Sequence, residues 1–135
     1  MASRINIFLA DLTHVGESLS SNVFPLGVGL LGACLKSNLD SKVEVELFKY
    51  PDDLSQRLEE VSPSVIGFSN YSWNCNISYD FARKIKEKYP DVVVIFGGPN
   101  YGLTSEEIKI FWERYPLIDF YIVKEGEVAM LSLVE

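Results

Sequence analysis

The sequence is poor in the side chains that most metal and hydrolytic sites need. Its 135 residues hold a single histidine, His14, and two widely separated cysteines, Cys34 and Cys75. A structural zinc site takes about four Cys or His ligands, so no such site is expected. The motifs GxxxxGK(S/T) and GxSxG are also missing. Their absence argues against a P-loop nucleotide site and against a hydrolase nucleophile elbow.

Basic residues are scarce as well. Lysine plus arginine number 12 against 19 for aspartate plus glutamate, which gives a net charge of −7. That balance repels a phosphate backbone, so we expect no nucleic-acid partner. The densest basic group, Lys84, Lys86 and Lys88, is typical of a solvent-exposed helix face.

Long apolar runs are absent too. No segment reaches the roughly 20 apolar residues that cross a membrane, and the start of the chain lacks the pattern of a signal peptide. We therefore expect a soluble, cytoplasmic protein with no membrane partner. The hydrophobic content of 47% suffices for one domain over residues 1–135. The last apolar stretch is short and has no stop signal, so we expect an N-terminal piece of a longer protein.

Short apolar strands alternate with helical segments along the chain. The predicted strands are 4–10, 43–48, 65–69, 92–96 and 118–123, and the predicted helices are 24–39, 51–61, 78–89 and 104–115. This alternation predicts an α/β fold, a Rossmann-like (flavodoxin-like) parallel sheet of five strands in the order 2-1-3-4-5, with helices on both faces. The second strand, VEVELF, alternates apolar and acidic residues, which favours an edge. Thr104 and Glu107 match a capping box.

The glycines of the first predicted helix and the two cysteines lead to further expectations. Gly27, Gly29 and Gly32 lower the helix propensity of the first helix, so we expect another surface to approach it closely. Cys34 lies on the same apolar helix and is expected to be buried. Cys75 is expected to lie in a loop, open to solvent.

Ligands of an open parallel sheet bind at the carboxyl ends of its strands, and a glycine pair stands out there. Gly97-Gly98 directly follows the buried fourth strand and precedes Pro99 and Asn100. Two missing side chains let a ligand approach the backbone. An ordinary tight turn is the alternative explanation.

The neighbouring third strand also ends in candidate binding residues. Ser69 is followed by Asn70, Tyr71 and Trp73. The hydroxyl can hydrogen-bond a ligand, and the aromatic rings can line a flat one. Local capping and loop packing are the alternative.

The first and last loops at this edge hold the remaining candidates. His14 can reach a ligand, although a lone loop histidine is more often structural. Glu125 and Glu127 flank Gly126. Their carboxylates are candidates for acid–base chemistry, and the simpler explanation is that they cap the N-terminus of a helix.

Four segments, taken together and in order, resemble one known family. They are PLGVGLLGACLK at 25–36, VIGFSNYSWN at 65–74, FARKIKEKYPDVVVIFGGPN at 81–100 and IDFYIVKEGE at 118–127. The set resembles the cobalamin (vitamin B12)-binding domain found before the catalytic domain of B12-dependent radical S-adenosylmethionine (SAM) enzymes. The resemblance implies a corrin ring across the carboxyl edge of the sheet and a nucleotide tail that runs down into the domain.

The resemblance also implies roles for individual residues. Ser69-Asn70-Tyr71 is similar to the element that meets the tail, and Gly97-Gly98 to the glycine pair beside which the tail passes. On this basis Gly98→Val is expected to block the path of the tail. The implied cofactor-binding residues are Thr13, His14, Gly16, Ser69, Asn70, Tyr71, Gly97, Gly98, Pro99, Asn100, Glu125 and Gly126.

The first loop departs from the pattern D-x-H-x-x-G, whose histidine coordinates cobalt in other B12 proteins. Here Asp11, Thr13 and Gly16 give D-x-T-x-x-G, and His14 stands one residue after the ligand position. We therefore expect no protein ligand to the metal, with His14 as the alternative.

The catalytic half of such enzymes holds a [4Fe–4S] cluster on a CxxxCxxC motif. Two distant cysteines cannot supply that motif, so the resemblance implies that the cluster and SAM belong to a separate catalytic domain. The chain alone is expected to be non-catalytic. Its partners are the corrinoid and that radical SAM domain in the same polypeptide.

Three other functions suit the same fold class. A flavin- or nucleotide-binding domain would hold phosphate in the hydroxyl-rich loop 16–22, which lacks a basic partner. A receiver-like signalling domain needs an aspartate where the third strand ends in Ser69, and an acidic pair where only Asp11 follows the first strand. A domain that has lost its ligand and serves as a scaffold is the third.

Overall fold

A computed structural model describes residues 3–13 and 26–135 and confirms the predicted architecture. The strands are β1 (Ile5–Ala10), β2 (Val43–Phe48), β3 (Val65–Ser69), β4 (Val93–Gly97) and β5 (Phe120–Ile122). The helices are α1 (Leu26–Leu39), α2 (Pro51–Glu60), α3 (Cys75–Lys88), α4 (Ser105–Arg114) and α5 (Glu127–Val134). The strands form one parallel sheet in the order β2-β1-β3-β4-β5.

Helices cover both faces of this sheet, as the strand pattern predicts. Side chains alternate along β1: Ile7 and Leu9 pack against α1 and α5, whereas Phe8 and Ala10 pack against α2 and α3. The central strands are apolar throughout because both of their faces are buried. β2 lies at an edge, and its Leu47 is 42% exposed.

The first helix lies close to the sheet at one of its glycines. A Cβ at Gly32 would stand 3.2 Å from Leu47 Cδ2 and 3.4 Å from Val45 Cγ1. The expected close approach is therefore confirmed at Gly32. A Cβ at Gly27 would meet nothing within 4 Å, so the expectation is not met at that glycine.

The third helix begins earlier than predicted, and this corrects one cysteine assignment. Asn74 is buried; its amide donates to Leu12 O (3.2 Å) and accepts from Tyr71 N (2.9 Å). The resulting turn starts the helix at Cys75, which is 4% exposed, so the prediction of an exposed loop cysteine is wrong. Cys34 is half-buried, not buried as expected, and its Sγ lies 3.9 Å from Glu127 O.

The carboxylate of Asp119 explains two more differences. It accepts the N–H of Val94 at 2.8 Å, so a side chain takes part in the pairing and β5 begins only at Phe120. It also pairs with Lys86 Nζ at 2.7 Å, and the Lys86 side chain is 19% exposed. The predicted solvent-exposed face is thus wrong for Lys86, although Lys84 and Lys88 are exposed.

The predicted capping box starts α4. Thr104 Oγ1 accepts the N–H of Glu107, and Glu107 Oε2 accepts the N–H groups of Leu103 (2.7 Å) and Thr104 (3.1 Å). These backbone hydrogen bonds lower the pKa of the Glu107 carboxyl.

Candidate functional site

Two glycines leave a gap in the sheet face that α1 and α5 cover. Leu9, Gly67 and Ile95 lie side by side in register on β1, β3 and β4. One step nearer the carboxyl edge, on the same face, Ser69 lies beside Gly97. Small residues on two adjacent central strands therefore form a trough that runs from the edge of the sheet inward.

This trough opens into a pocket of about 250 Å³ at the carboxyl edge. Its walls are the starts of α1 and α5 and the ends of four strands. The lining residues are Leu9, Asp11, Gly27, Val28, Leu31, Gly67, Phe68, Ser69, Tyr71, Ile95, Gly97, Gly98, Ile122, Lys124, Glu125, Gly126, Glu127 and Met130. The pocket lies where an open α/β sheet binds its ligands.

The pocket has an apolar floor and a polar mouth. Its fully buried side chains are all apolar, with Leu9 and Met130 at 0% and 2% exposure. The charged lining residues, among them Lys124 and Glu125, are at the solvent-exposed end. Such a pocket suits a ligand with an apolar end and a polar, charged remainder.

The glycine pair after β4 has two different structural roles. A Cβ at Gly97 would lie 3.4 Å from Ile122 O, an ordinary contact. A Cβ at Gly98 would lie 2.6 Å from Asn70 O, and Gly98 has a φ of +133°, which side chains rarely adopt. The expected reason for Gly98→Val to block binding is therefore wrong: the valine would strike the backbone after β3 and distort the loop.

The Ser69 hydroxyl is hydrogen-bonded within the protein. It donates to Asp11 Oδ1 at 2.7 Å, which joins the ends of β3 and β1 at the mouth of the pocket. The hydroxyl oxygen keeps its acceptor capacity and the carboxylate its second oxygen. The pair offers acceptors to the N–H donors of a ligand.

Asn70 connects the loops after β3 and β4 by hydrogen bonds. It is fully buried, and its Nδ2 donates to Asn100 O (2.7 Å) and Tyr121 Oη (3.3 Å). Its backbone N–H donates to Gly97 O, and its carbonyl accepts from Asn100 N. Tyr121 completes this set by donating to Gly98 O at 2.7 Å.

The buried position of Tyr121 predicts that the domain loses folding stability at alkaline pH. Burial raises the pKa of the Tyr121 hydroxyl to about 12, from about 10 in an unfolded chain. The folded state therefore holds this proton more tightly. The resulting stability is complete below pH 10 and is lost as pH rises from 10 to about 12. Urea unfolding at pH 8 and pH 11 should show a smaller alkaline loss in Tyr121→Phe than in the wild type. An equal loss in both would contradict the prediction.

The structure brings half of the sequence-predicted binding residues to the pocket. Those that line it are Ser69, Tyr71, Gly97, Gly98, Glu125 and Gly126. Those that lie outside its lining are Thr13, Asn70, Pro99 and Asn100. Thr13 is buried and its N–H donates to Lys49 O. His14 and Gly16 lie outside the described residues.

Sequence reasoning missed the pocket floor. Gly67 and Met130 were not candidates, and neither was Val28 of α1. A glycine inside a buried strand is itself a sign of close approach, so Gly67 carried a usable signal. Met130 carried none, because an apolar residue of a short helix is typical of any core.

The described residues set two further bounds. None of their helices is long and apolar enough to cross a membrane. Among residues 3–13 and 26–135, no group of three or more His, Cys, Asp or Glu side chains is placed to hold a metal ion.

Comparison with known proteins decides the family. The model of the family described as B12 binding domain matches residues 12–134. The chain belongs to this family. The match therefore accounts for nearly the whole chain and includes every lining residue of the pocket except Leu9 and Asp11.

A curated relative extends this result. The cobalamin-dependent radical SAM methyltransferase TokK of Streptomyces tokunonensis is 36% identical over 74 residues. The match covers 55% of this B12 binding domain and 10% of TokK. The chain thus corresponds to a small part of that relative's length.

Solved structures support the fold. A cobalamin-binding protein from Desulfitobacterium hafniense DCB-2 superposes with a TM-score of 0.67 at 16% identity, over 97% of this chain and 58% of that one. The DrrB receiver domain superposes with a TM-score of 0.59 at 18% identity, over 98% of this chain and 95% of that one. The B12 binding domain shares its architecture with receivers, but its β3 ends in Ser69.

Proposed function

We propose that the chain is the cobalamin-binding module of a B12-dependent radical SAM methyltransferase. The corrinoid binds at the carboxyl edge of the sheet, with its nucleotide tail in the pocket between α1, α5 and the strand ends. The observation that carries this proposal is the trough from Ser69 and Gly97 down to Gly67.

The size and chemistry of the pocket suit one end of such a cofactor. A volume of about 250 Å³ is below the roughly 300 Å³ at which pockets begin to hold whole small molecules. A flat, mostly apolar base suits the floor. The ribose and phosphate of the tail suit the polar mouth, and the larger corrin remains outside it.

Individual residues then have distinct tasks. Gly97 leaves the path of the tail clear near the edge, the flexible ends of Leu9 and Met130 border it at Gly67, and Ser69 with Asp11 offers polar contacts beside it. Tyr71 stacks on Trp73 with ring centroids 4.5 Å apart, and Tyr71 also lines the pocket. Asn70, Pro99 and Asn100 act indirectly, by shaping the loops that bound the site.

The module is proposed to work with a catalytic domain in the same polypeptide. Bound cobalamin supplies a cobalt centre able to carry and pass on a methyl group, a chemistry that belongs to the cofactor. The [4Fe–4S] cluster and SAM belong to the separate domain, because this chain has no CxxxCxxC motif. The relative named as a cobalamin-dependent radical SAM methyltransferase supports this arrangement.

Retention of hydroxocobalamin tests the proposal. The purified chain is mixed with hydroxocobalamin and desalted, and its visible spectrum is recorded. We expect the corrinoid absorption to remain with the protein. A colourless protein fraction would contradict the proposal, and a yellow, fluorescent flavin retained from expression would favour a flavin-binding domain.

The axial coordination of cobalt has its own test. His14 stands one residue beyond the position of a cobalt-ligating histidine, so we propose that no protein side chain ligates the metal. The electron paramagnetic resonance spectrum of the cob(II)alamin form should lack nitrogen splitting from the protein. Splitting that is present in the wild type and vanishes in His14→Ala would identify His14 as the ligand and overturn this part.

A further inference from the structure

We propose that the pocket discriminates among corrinoids by the base at the end of their nucleotide tail. It favours apolar bases such as dimethylbenzimidazole over purines such as adenine. This inference rests on the proposed function and names the class of corrinoid that the same site takes. It comes from the chemistry of the pocket floor.

The buried part of the lining contains no polar side chain among the described residues. Its members on the face that α1 and α5 cover are Leu9, Val28, Gly67, Ile95, Ile122 and Met130, whereas the side chain of Phe68 packs on the opposite face. All polar side chains of the described lining are at least partly exposed, and they belong to the mouth. A base that reaches the floor therefore meets apolar side chains.

The backbone at the centre of the floor is already paired. Gly67 belongs to a central strand and pairs in register with Leu9 on one side and Ile95 on the other. Its peptide groups are used in the two parallel ladders. The hydroxyl nearest to this row along β3, that of Ser69, already donates to Asp11.

The two classes of base differ in how many polar groups they would bury here. Dimethylbenzimidazole has one ring nitrogen that is not bonded to the ribose. Adenine has three such ring nitrogens and an exocyclic amine with two N–H donors. Each polar group that leaves water without a partner opposes binding. We expect discrimination of roughly 10- to 100-fold against adenine, the range in which an apolar pocket rejects a polar analogue of similar shape.

Met130 is the floor residue best placed to change this preference. It is 2% exposed, and its Cε would lie 3.2 Å from a Cβ at Gly67, so it reaches the centre of the row. Its side chain is unbranched and adapts to small changes of volume. Met130→Gln keeps a similar length and supplies an amide donor and acceptor. Met130→Leu is the matched apolar control.

The experiment measures dissociation constants by equilibrium dialysis with absorbance detection. The ligands are cobalamin, pseudocobalamin (adenine as base) and cobinamide (no nucleotide tail). All are used as dicyano forms, so that in each case the base is released from cobalt and the axial ligands are identical. We expect cobalamin to bind about 10- to 100-fold more tightly than pseudocobalamin. Met130→Leu should keep this ratio, and Met130→Gln should reduce it several-fold.

Each outcome has a defined meaning. Equal affinities of the wild type for cobalamin and pseudocobalamin would overturn the inference and leave the proposed function intact, provided that both bind more tightly than cobinamide. A folded Met130→Gln variant with the wild-type ratio would also overturn it. If Met130→Gln does not fold, as judged by circular dichroism, the wild-type ratio decides. Failure of all three corrinoids to bind would instead contradict the proposed function.

Discussion

Gly98→Ala should lower the free energy of unfolding by about 2–4 kcal/mol. An alanine Cβ would stand 2.6 Å from Asn70 O and 3.0 Å from Asn70 N, and both are backbone atoms. The φ of +133° adds strain for any residue with a side chain. The two loops must separate to admit the methyl group, which disturbs the buried hydrogen bonds of Asn70. Urea unfolding followed by circular dichroism measures the loss.

Gly27→Ala is the matched control. It adds the same methyl group at the start of α1, where nothing lies within 4 Å. In a helix, alanine is favoured over glycine by roughly 0.5–1 kcal/mol, so this variant should be as stable as the wild type or slightly more. If both variants unfold at the same urea concentration, the loops after β3 and β4 do not require a glycine at position 98.

Gly67→Val should weaken cobalamin binding by about a hundredfold or more, equivalent to roughly 2.7 kcal/mol. The new side chain would point into the floor of the pocket, with its Cβ 3.0 Å from Leu9 Cδ2 and 3.2 Å from Met130 Cε. Both neighbours are the ends of flexible side chains, and valine favours a β-strand. The fold should therefore tolerate the change while the tail loses its space. Equilibrium dialysis with cobalamin measures the effect.

Two controls separate blocking from unfolding. Val65→Ile adds a methyl group on the same strand and face, two residues from Gly67 and outside the pocket lining, and should bind cobalamin normally. Cobinamide, which lacks the tail, should bind the wild type and Gly67→Val alike. A Gly67→Val variant that binds cobalamin as tightly as the wild type would show that the tail lies elsewhere.

The spacing of apolar residues and the alternation of strands and helices along the sequence were sufficient to predict the strand order of the sheet. Apolar central strands require helices on both faces, and the acidic alternation of β2 is tolerated only at an edge. The structure confirms this order of strands. The start of β5 was harder to predict, because the Asp119 carboxylate takes part in the pairing with β4.

Only part of the candidate site could be predicted in this way. Ser69 and Gly97 were accessible to prediction because the carboxyl ends of parallel strands meet at one edge. Asn70 looked equally available, but its amide is buried by contacts with Asn100 and Tyr121. These partners come from the loop after β4 and from β5, and a single sequence does not reveal such long-range pairs.

The glycine pair shows a second limit of sequence reasoning. A missing side chain looks the same in a sequence whether it clears space for a ligand or for the backbone. Gly97 lines the pocket and leaves its sheet face open, whereas Gly98 allows the backbone of Asn70 to approach. The sign of φ and the direction of the absent Cβ separate the two cases, and both are properties of the folded chain.

The pocket combines elements from opposite ends of the domain. α1 contributes Val28 and Leu31 to its wall, and α5 contributes Met130 to its floor. The strands between them supply the other side of the slot. During synthesis on the ribosome, the nascent polypeptide therefore has no complete slot until residue 130 has left the exit tunnel. The proposed site of the tail is therefore completed only by the last helix of the domain.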